Sequence, residues 1–154
     1  MYPRIEKRFL AILDESLQPR GPEVLYELVG RLGLPPGAKV ADIGCGEGRH
    51  TVALAERFGF DVRGIDPVQR HLDLGNEALA SATDRDRSLR GRVRFVLGTV
   101  EALPLDDAAV DLVWFRDVLE LVQCLDRAFA EVRRVLRDDG RAVVYSMDGS
   151  AATR

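Results

Sequence analysis

Apolar positions near the start of the chain recur at helical spacing. Ile5, Phe9, Ile12 and Leu13 fall three or four residues apart, which predicts an amphipathic helix over 4–17. The run Pro-Arg-Gly-Pro at 19–22 ends that pattern, and a proline at position 22 suits the first turn of a second helix that extends to about residue 32. The first part of the chain is therefore predicted to be helical.

A different pattern follows Pro35-Pro36-Gly37, which is a strong stop signal. Short apolar runs now alternate with helical periods. Strands are predicted over 39–43, 61–65, 92–97, 110–115 and 141–147, and helices over 48–58, 68–82 and 125–136, with Asp139-Gly140 as the turn into the last strand. Strands separated by helices predict right-handed crossovers, hence an α/β fold with a parallel sheet and helices on both faces.

Length and composition limit the classes of function. The 154 residues suffice for one domain with a substantial core, and the net charge of −3 gives no general attraction to nucleic acid or membranes. Cys45 and Cys124 lie far apart, with no Cys or His at metal-ligand spacing, so we expect no metal site and no disulfide framework. The charged first residues and the lack of a long apolar run predict a cytoplasmic protein.

Candidate ligand-binding residues follow the first two strands. The run Gly44-Cys45-Gly46-Glu47-Gly48 allows a sharp turn and a close approach of the backbone to a ligand, and Asp66 comes 22 residues after Gly44. In open α/β sheets, ligands bind beyond the carboxyl ends of the strands, at the point where the strand order reverses. A glycine turn with a distal acid is also typical of dinucleotide sites, so these features alone leave both ligand classes open.

The spacing and the charge of the loop favour a ligand without phosphate. The glycines follow G-x-G-x-G rather than G-x-G-x-x-G, and Asp42 and Glu47 flank the turn. A pyrophosphate uses the positive end of the following helix, where a carboxylate would repel it. S-adenosylmethionine, with a ribose, an ammonium and a sulfonium, tolerates acidic neighbours. For Glu47 itself, ligand contact and a simple interaction with the helix dipole both stay open.

Five segments in the same order resemble the motifs of class I S-adenosylmethionine-dependent methyltransferases. They are Val40 to Thr51, Gly64-Ile65-Asp66, Gly98 to Leu105, Val110 to Val113, and Arg134 to Gly140. The resemblance covers about residues 38 to 147 and implies a Rossmann-like, doubly wound sheet. It also implies a division into an N-terminal helical segment over 1–37, which acts as a substrate lid or cap, and an S-adenosylmethionine-binding domain over 38–154.

The resemblance also implies roles for single residues. Asp66 would hold the ribose hydroxyls, Thr99 and Val100 would contact adenine, and Phe115 and Arg116 would line the methionine end of the cofactor. Thr99 stands where an aspartate is common, so Glu101 is a candidate substitute, with a role at a helix start as the alternative. The complete set of predicted cofactor-binding residues is Asp42, Gly44, Cys45, Gly46, Asp66, Thr99, Val100, Glu101, Phe115 and Arg116.

A general base is not evident. Leu121 stands where related sequences often have histidine, and we interpret His50 and His71 as structural surface residues. Trp114 is interpreted as part of the sheet core. The catalytic residues therefore stay unknown, but methyl transfer from a sulfonium can rest on alignment and exclusion of water alone.

Members of this family continue beyond the fifth strand with a further helix and two strands, which this sequence lacks. We therefore expect the exposed edge of strand five to be covered by a second copy or by a further C-terminal segment. The sequence favours a methyltransferase acting on a small molecule, with S-adenosylhomocysteine as product, rather than on nucleic acid. A non-catalytic or truncated S-adenosylmethionine-binding module is the alternative, and a nicotinamide-dependent oxidoreductase is disfavoured by the loop spacing.

Overall fold

A computed structural model of the chain describes residues 22–146. The predicted helix over 4–17 and the last residues of the chain lie outside this range. The α-helices are α1 (Glu23–Arg31), α2 (Arg49–Phe58), α3 (Gln69–Arg85) and α4 (Leu125–Val135), and short 3-10 helices span Arg87–Leu89 and Leu119–Leu121. The strands are β1 (Lys39–Ile43), β2 (Asp61–Asp66), β3 (Val93–Leu97), β4 (Val110–Arg116) and β5 (Leu136–Tyr145).

The five strands form one sheet in the order β3-β2-β1-β4-β5, and every neighbouring pair is parallel. The chain moves outward from β1 to β3 and then returns to the other side of β1 to form β4. The strand order therefore reverses between β1 and β4, and the carboxyl ends of these two strands border the crevice where such sheets bind ligands. The predicted α/β fold with a doubly wound parallel sheet is confirmed.

Two apolar cores lie on opposite faces of the sheet, because successive side chains of a strand point in opposite directions. Leu112 and Trp114 of β4 belong to the core that α1, α2 and α3 cover. Val113 and Phe115 belong to the core that α4 covers. Trp114 is 1% exposed, so its predicted place in the sheet core is confirmed.

The last strand differs from its prediction. A start at residue 141 was expected, but β5 begins at Leu136, which pairs with Val110. The register then shifts, so that the next pair is Leu112 with Arg141, and residues 137–140 are an insertion on the β5 side. The predicted turn at Asp139-Gly140 thus lies inside this irregular strand, because a β-bulge continues the pairing on both sides of a polar segment.

No helix between residues 22 and 146 is both long enough and apolar enough to cross a membrane.

Candidate functional site

The glycine loop between β1 and α2 is held by backbone hydrogen bonds to β2. Gly44, Gly46 and Gly48 have φ angles of 71°, 53° and 78°, in the left-handed region that glycine adopts without steric cost. The amides of Gly44 and Cys45 both donate to the carbonyl of Ile65, at 2.8 and 3.2 Å. The amide of Gly48 donates to the carbonyl of Cys45 at 3.0 Å. These donors are used within the protein rather than directed at a ligand.

Asp66 fastens the same loop from the end of β2. One carboxylate oxygen, Oδ2, accepts from the amide of Gly46 at 2.9 Å. The other, Oδ1, accepts from the amide of Val68 at 2.9 Å and lies 3.0 Å from His71 Nδ1. Asp66 is 5% exposed and His71 is 7% exposed. Because Oδ1 acts as an acceptor here, Nδ1 of His71 carries the proton of this hydrogen bond.

Asp42, near the end of β1, points toward the first turn of α2. Its Oδ2 accepts a 2.6 Å hydrogen bond from the Thr51 hydroxyl, and both residues are buried. Burial raises the pKa of Asp42 to about 7; the hydrogen bond from Thr51 opposes this shift and the nearby charge of Asp66 adds to it. This carboxyl group therefore changes charge near neutral pH.

The side chain of Cys45 faces β2. Its Sγ is 3.0 Å from the position that a Cβ on Gly64 would occupy. Burial is the main cause that raises the pKa of the Cys45 thiol, which is therefore neither a thiolate nor a nucleophile. Only the backbone of Cys45, and not its side chain, is therefore placed to contact a ligand at the glycine loop.

The segment after β3 is fixed by side chains of other segments. Thr99 forms an isolated bridge with Ala102, and Val100 is 7% exposed and packs in the core on the α4 side. Glu101 Oε1 accepts from the amides of Gln123 and Cys124, at 3.0 and 3.1 Å, just before α4 begins. This oxygen of Glu101 thus serves the start of a helix, which is the alternative that the sequence left open.

An ion pair on α4 holds the rest of this segment. Glu131 accepts from the amide of Leu103 at 2.8 Å, and Arg134 donates to the carbonyls of Leu103 and Leu105. Glu131 and Arg134 also bond each other at 2.7 Å. Hydrogen bonding to Arg134 lowers the pKa of Glu131 to about 2, so this pair is charged at neutral pH.

The residues at the end of β4 divide between the two faces of the sheet. Phe115 is 2% exposed and its side chain belongs to the core on the α4 side. The Arg116 side chain is 8% exposed and lies 3.5 Å from Asp117, measured from Nε to Oδ2. Asp117 has a φ angle of 54°, a strained value for a residue other than glycine. Val118 then covers the glycine loop, because a Cβ on Gly44 would be 2.2 Å from its Cγ2.

Both histidines were misjudged from the sequence as surface residues. His71 is buried against Asp66, and His50 is half-buried and lies within hydrogen-bond distance of Tyr26 and Arg116. The position of His71 in the first turn after a predicted ligand-binding acid was a usable signal. The partners of His50 are 24 and 66 residues away in sequence, so no local pattern could have identified them.

The predicted site residues therefore meet at one edge of the sheet. They lie at, or just after, the carboxyl ends of four adjacent strands, in the spatial order β3, β2, β1 and β4. The side chains of Asp42, Asp66 and Arg116 lie at or near this edge, whereas those of Cys45, Val100 and Phe115 are packed into the protein. Between residues 22 and 146, no group of three or more His, Cys, Asp or Glu side chains could hold a metal ion.

The known proteins that this chain resembles include methyltransferases. Residues 41–144 match the family model described as a methyltransferase domain. Methyltransferase GfsG of Streptomyces halstedii is 29% identical over 130 residues, which are 84% of this chain and 45% of that protein. The malonyl-[acyl-carrier protein] O-methyltransferase of Geobacter sulfurreducens is 35% identical over 126 residues, which are 81% of this chain and 44% of that protein. The chain thus spans less than half the length of these relatives.

A solved structure has the same fold. The phosphoethanolamine N-methyltransferase 2 of Haemonchus contortus, in complex with S-adenosyl-L-methionine, superposes with a TM-score of 0.70. The match covers 86% of this chain and 31% of that one, at 21% identity.

Proposed function

The chain belongs to the class I S-adenosylmethionine-dependent methyltransferase family, and from this premise we propose that it binds S-adenosylmethionine and methylates a small-molecule acceptor. The binding site is the edge formed by the carboxyl ends of β3, β2, β1 and β4. The observation that carries this proposal is the way in which the glycine loop uses its own amides.

A phosphate-bearing ligand would need amide donors that are free to bind it. In this loop the amides of Gly44, Cys45 and Gly46 are bonded to β2, and the amide of Gly48 is bonded within the loop. Asp42 adds a buried carboxyl group directly below the first turn of α2. The loop thus fits a ligand with hydroxyl and cationic groups, as S-adenosylmethionine is, and disfavours a nicotinamide dinucleotide.

The adenosine half of the cofactor would lie between β2 and β3. Asp66 is already oriented by Gly46, Val68 and His71, and a carboxylate with two oxygens can accept further hydrogen bonds from ribose hydroxyls. Thr99 follows β3, which lies next to β2, and would contact the adenine ring together with the backbone of Val100. Glu101 is tied to the residues before α4, which leaves adenine recognition to its neighbours.

Catalysis in this proposal rests on alignment. S-adenosylmethionine supplies a methyl group on a sulfonium, which is already activated for displacement. The chain would orient that group and exclude water from the reacting atoms, with the segment after β4 closing over the glycine loop at Gly44. Neither histidine offers a free base for an acceptor hydroxyl, because the acceptor nitrogen of His50 faces Arg116 and His71 lies on the adenosine side.

One relative supports a small acceptor group. Its name states that it methylates malonyl-[acyl-carrier protein], in which the malonyl group is small and its carrier is a protein. The net charge of −3 also disfavours a polyanion. The two cysteines are free thiols, which supports a reducing compartment such as the cytoplasm. A module that binds S-adenosylmethionine without methyl transfer is the second candidate, favoured by the absence of an evident base among the described residues.

Calorimetry with S-adenosylmethionine, S-adenosylhomocysteine and NAD tests the proposed cofactor. We expect both sulfur ligands to bind and NAD not to bind. Asp66→Ala should weaken both sulfur ligands by about tenfold or more, since it removes the acceptor of the ribose hydroxyls. Asp61→Ala is the control, because Asp61 lies at the opposite end of the same strand and pairs with Lys39. Binding of NAD alone would overturn the proposal.

Transfer of a labelled methyl group to a panel of small molecules separates the two candidate functions. Label in a product supports the methyltransferase. Tight binding of S-adenosylmethionine without any product across the panel supports the non-catalytic module.

A further inference from the structure

Three side chains from separate elements form a continuous chain of contacts beneath the proposed site. Tyr26 lies on α1, and its hydroxyl is 2.6 Å from His50 Nδ1 in the first turn of α2. His50 Nε2 is 2.5 Å from Arg116 Nη1 at the end of β4. The imidazole thus links the first described helix to the guanidinium group.

The chemistry of the three groups fixes the direction of each hydrogen bond. A guanidinium group only donates, so His50 Nε2 must accept from Arg116. In the neutral ring the proton then lies on Nδ1, which donates to the hydroxyl oxygen of Tyr26. Burial raises the pKa of Tyr26 to about 12, so its hydroxyl stays neutral and offers the oxygen lone pair that this arrangement needs.

Aromatic and charged neighbours hold these rings in place. Tyr26 is stacked on Trp114 with ring centroids 5.7 Å apart, and His50 lies 5.7 Å from each of them. The guanidinium of Arg57 lies 4.2 Å from the Tyr26 centroid and forms two hydrogen bonds with Glu23 of α1. The imidazole therefore has little freedom to turn away from Arg116.

The register of β4 against β1 places Arg116 next to the glycine loop. Phe115 pairs with Ile43, so Arg116 lies level with Gly44 at the start of the glycine loop. A ligand with its ribose at Asp66 and its base toward β3 extends its other end across this loop toward β4. In S-adenosylmethionine that end carries a carboxylate, and a guanidinium is the side chain best suited to bind a carboxylate through paired hydrogen bonds.

We infer that His50 is a positioning residue, which holds the Arg116 guanidinium toward the carboxylate of the bound cofactor and is itself held in one tautomer by Tyr26. The inference rests on the proposed function. Through Tyr26, α1 is coupled to the methionine end of the site.

The test compares two ligands that differ only at that end. S-adenosylhomocysteine has the amino acid part, and 5′-methylthioadenosine lacks it but keeps the same nucleoside. His50→Leu should lose about tenfold in affinity for S-adenosylhomocysteine and stay within about twofold for 5′-methylthioadenosine. His50→Gln, whose amide can accept from Arg116 and donate to Tyr26, should retain most of the affinity, and Tyr26→Phe should lose about threefold.

A double-mutant cycle then shows whether His50 acts through Arg116. Arg116→Gln should show the same selective loss, and adding His50→Leu to it should cause no further loss. Equal losses for both ligands in His50→Leu, unchanged affinity for both, or additive losses in the double variant would each overturn the inference. A wild-type chain that binds neither ligand would overturn the proposed function, and this inference with it. Urea unfolding of each variant separates loss of binding from loss of the fold.

Discussion

Asp42 is a carboxyl group enclosed between β1 and the first turn of α2, with a pKa raised to about 7 mainly by burial. Its ordinary value is near 4, so the unfolded chain ionises this group at lower pH than the folded protein does. Folding stability is therefore lost as pH rises from about 4 to about 7, and above pH 7 the loss is complete.

Replacing Asp42 with asparagine removes this titration and keeps a similar shape. Between pH 5 and pH 8, the free energy of unfolding of the wild type should fall by about 2 to 3 kcal/mol relative to Asp42→Asn. Urea unfolding of both proteins at the two pH values measures this difference. Asp106→Asn, which alters an exposed carboxylate, is the control and should follow the wild type. A constant difference between wild type and Asp42→Asn at all pH values would contradict this explanation.

At the scale of elements, three glycines form a slot for one aromatic ring. A Cβ on Gly48, Gly64 or Gly75 would come within 2.4 to 2.9 Å of the Phe95 ring. Gly48 directly precedes α2 in the sequence, Gly64 lies on β2 and Gly75 lies in α3. The Phe95 ring therefore joins both helices to the sheet beneath the glycine loop. Close packing of this kind leaves no room for an added methyl group.

Gly64→Ala tests the slot without introducing backbone strain, because Gly64 does not have a positive φ angle. We expect a loss of about 1 to 3 kcal/mol in the free energy of unfolding, since the new Cβ would lie 2.8 Å from Phe95 Cδ1. Phe95→Leu should relieve part of this loss when the two changes are combined. Gly30→Ala, in α1, makes the same chemical change with its nearest contact at 3.6 Å. It should be neutral or stabilising, and an equal loss there would contradict the slot.

The helices and strands could be predicted from the sequence more completely than the contacts of the site could. β1 was predicted with its observed bounds, because the apolar residues Val40, Ala41 and Ile43 lie between the stop signal at 35–37 and the glycine turn at 44–48. β5 was misplaced at its start because the bulge at residues 137–140 is polar and resembles a turn. The contacts of His50 depend on neighbours 24 and 66 residues away that the fold brings together, and no local pattern records such partners. His71 lies only five residues after Asp66, and this spacing was a signal that the sequence did offer.

At the scale of the whole molecule, β5 is one of the two edge strands of the sheet within residues 22–146. It pairs with β4, and Val144 is 45% exposed on the face that α4 covers. Open edges with apolar side chains favour pairing with another strand. We therefore propose that a second copy of this chain covers the edge, with a further segment of its own polypeptide as the alternative.

Light scattering over a range of concentrations distinguishes a second copy of the chain from a further segment of the same polypeptide. We expect the average mass of the wild type to rise toward that of a dimer, and Val144→Lys to remain a monomer, because a charge on an edge strand opposes pairing. Leu28→Lys is the matched control, since Leu28 is 46% exposed on α1, away from this edge, and should associate like the wild type. A wild type that stays monomeric at high concentration would contradict the dimer.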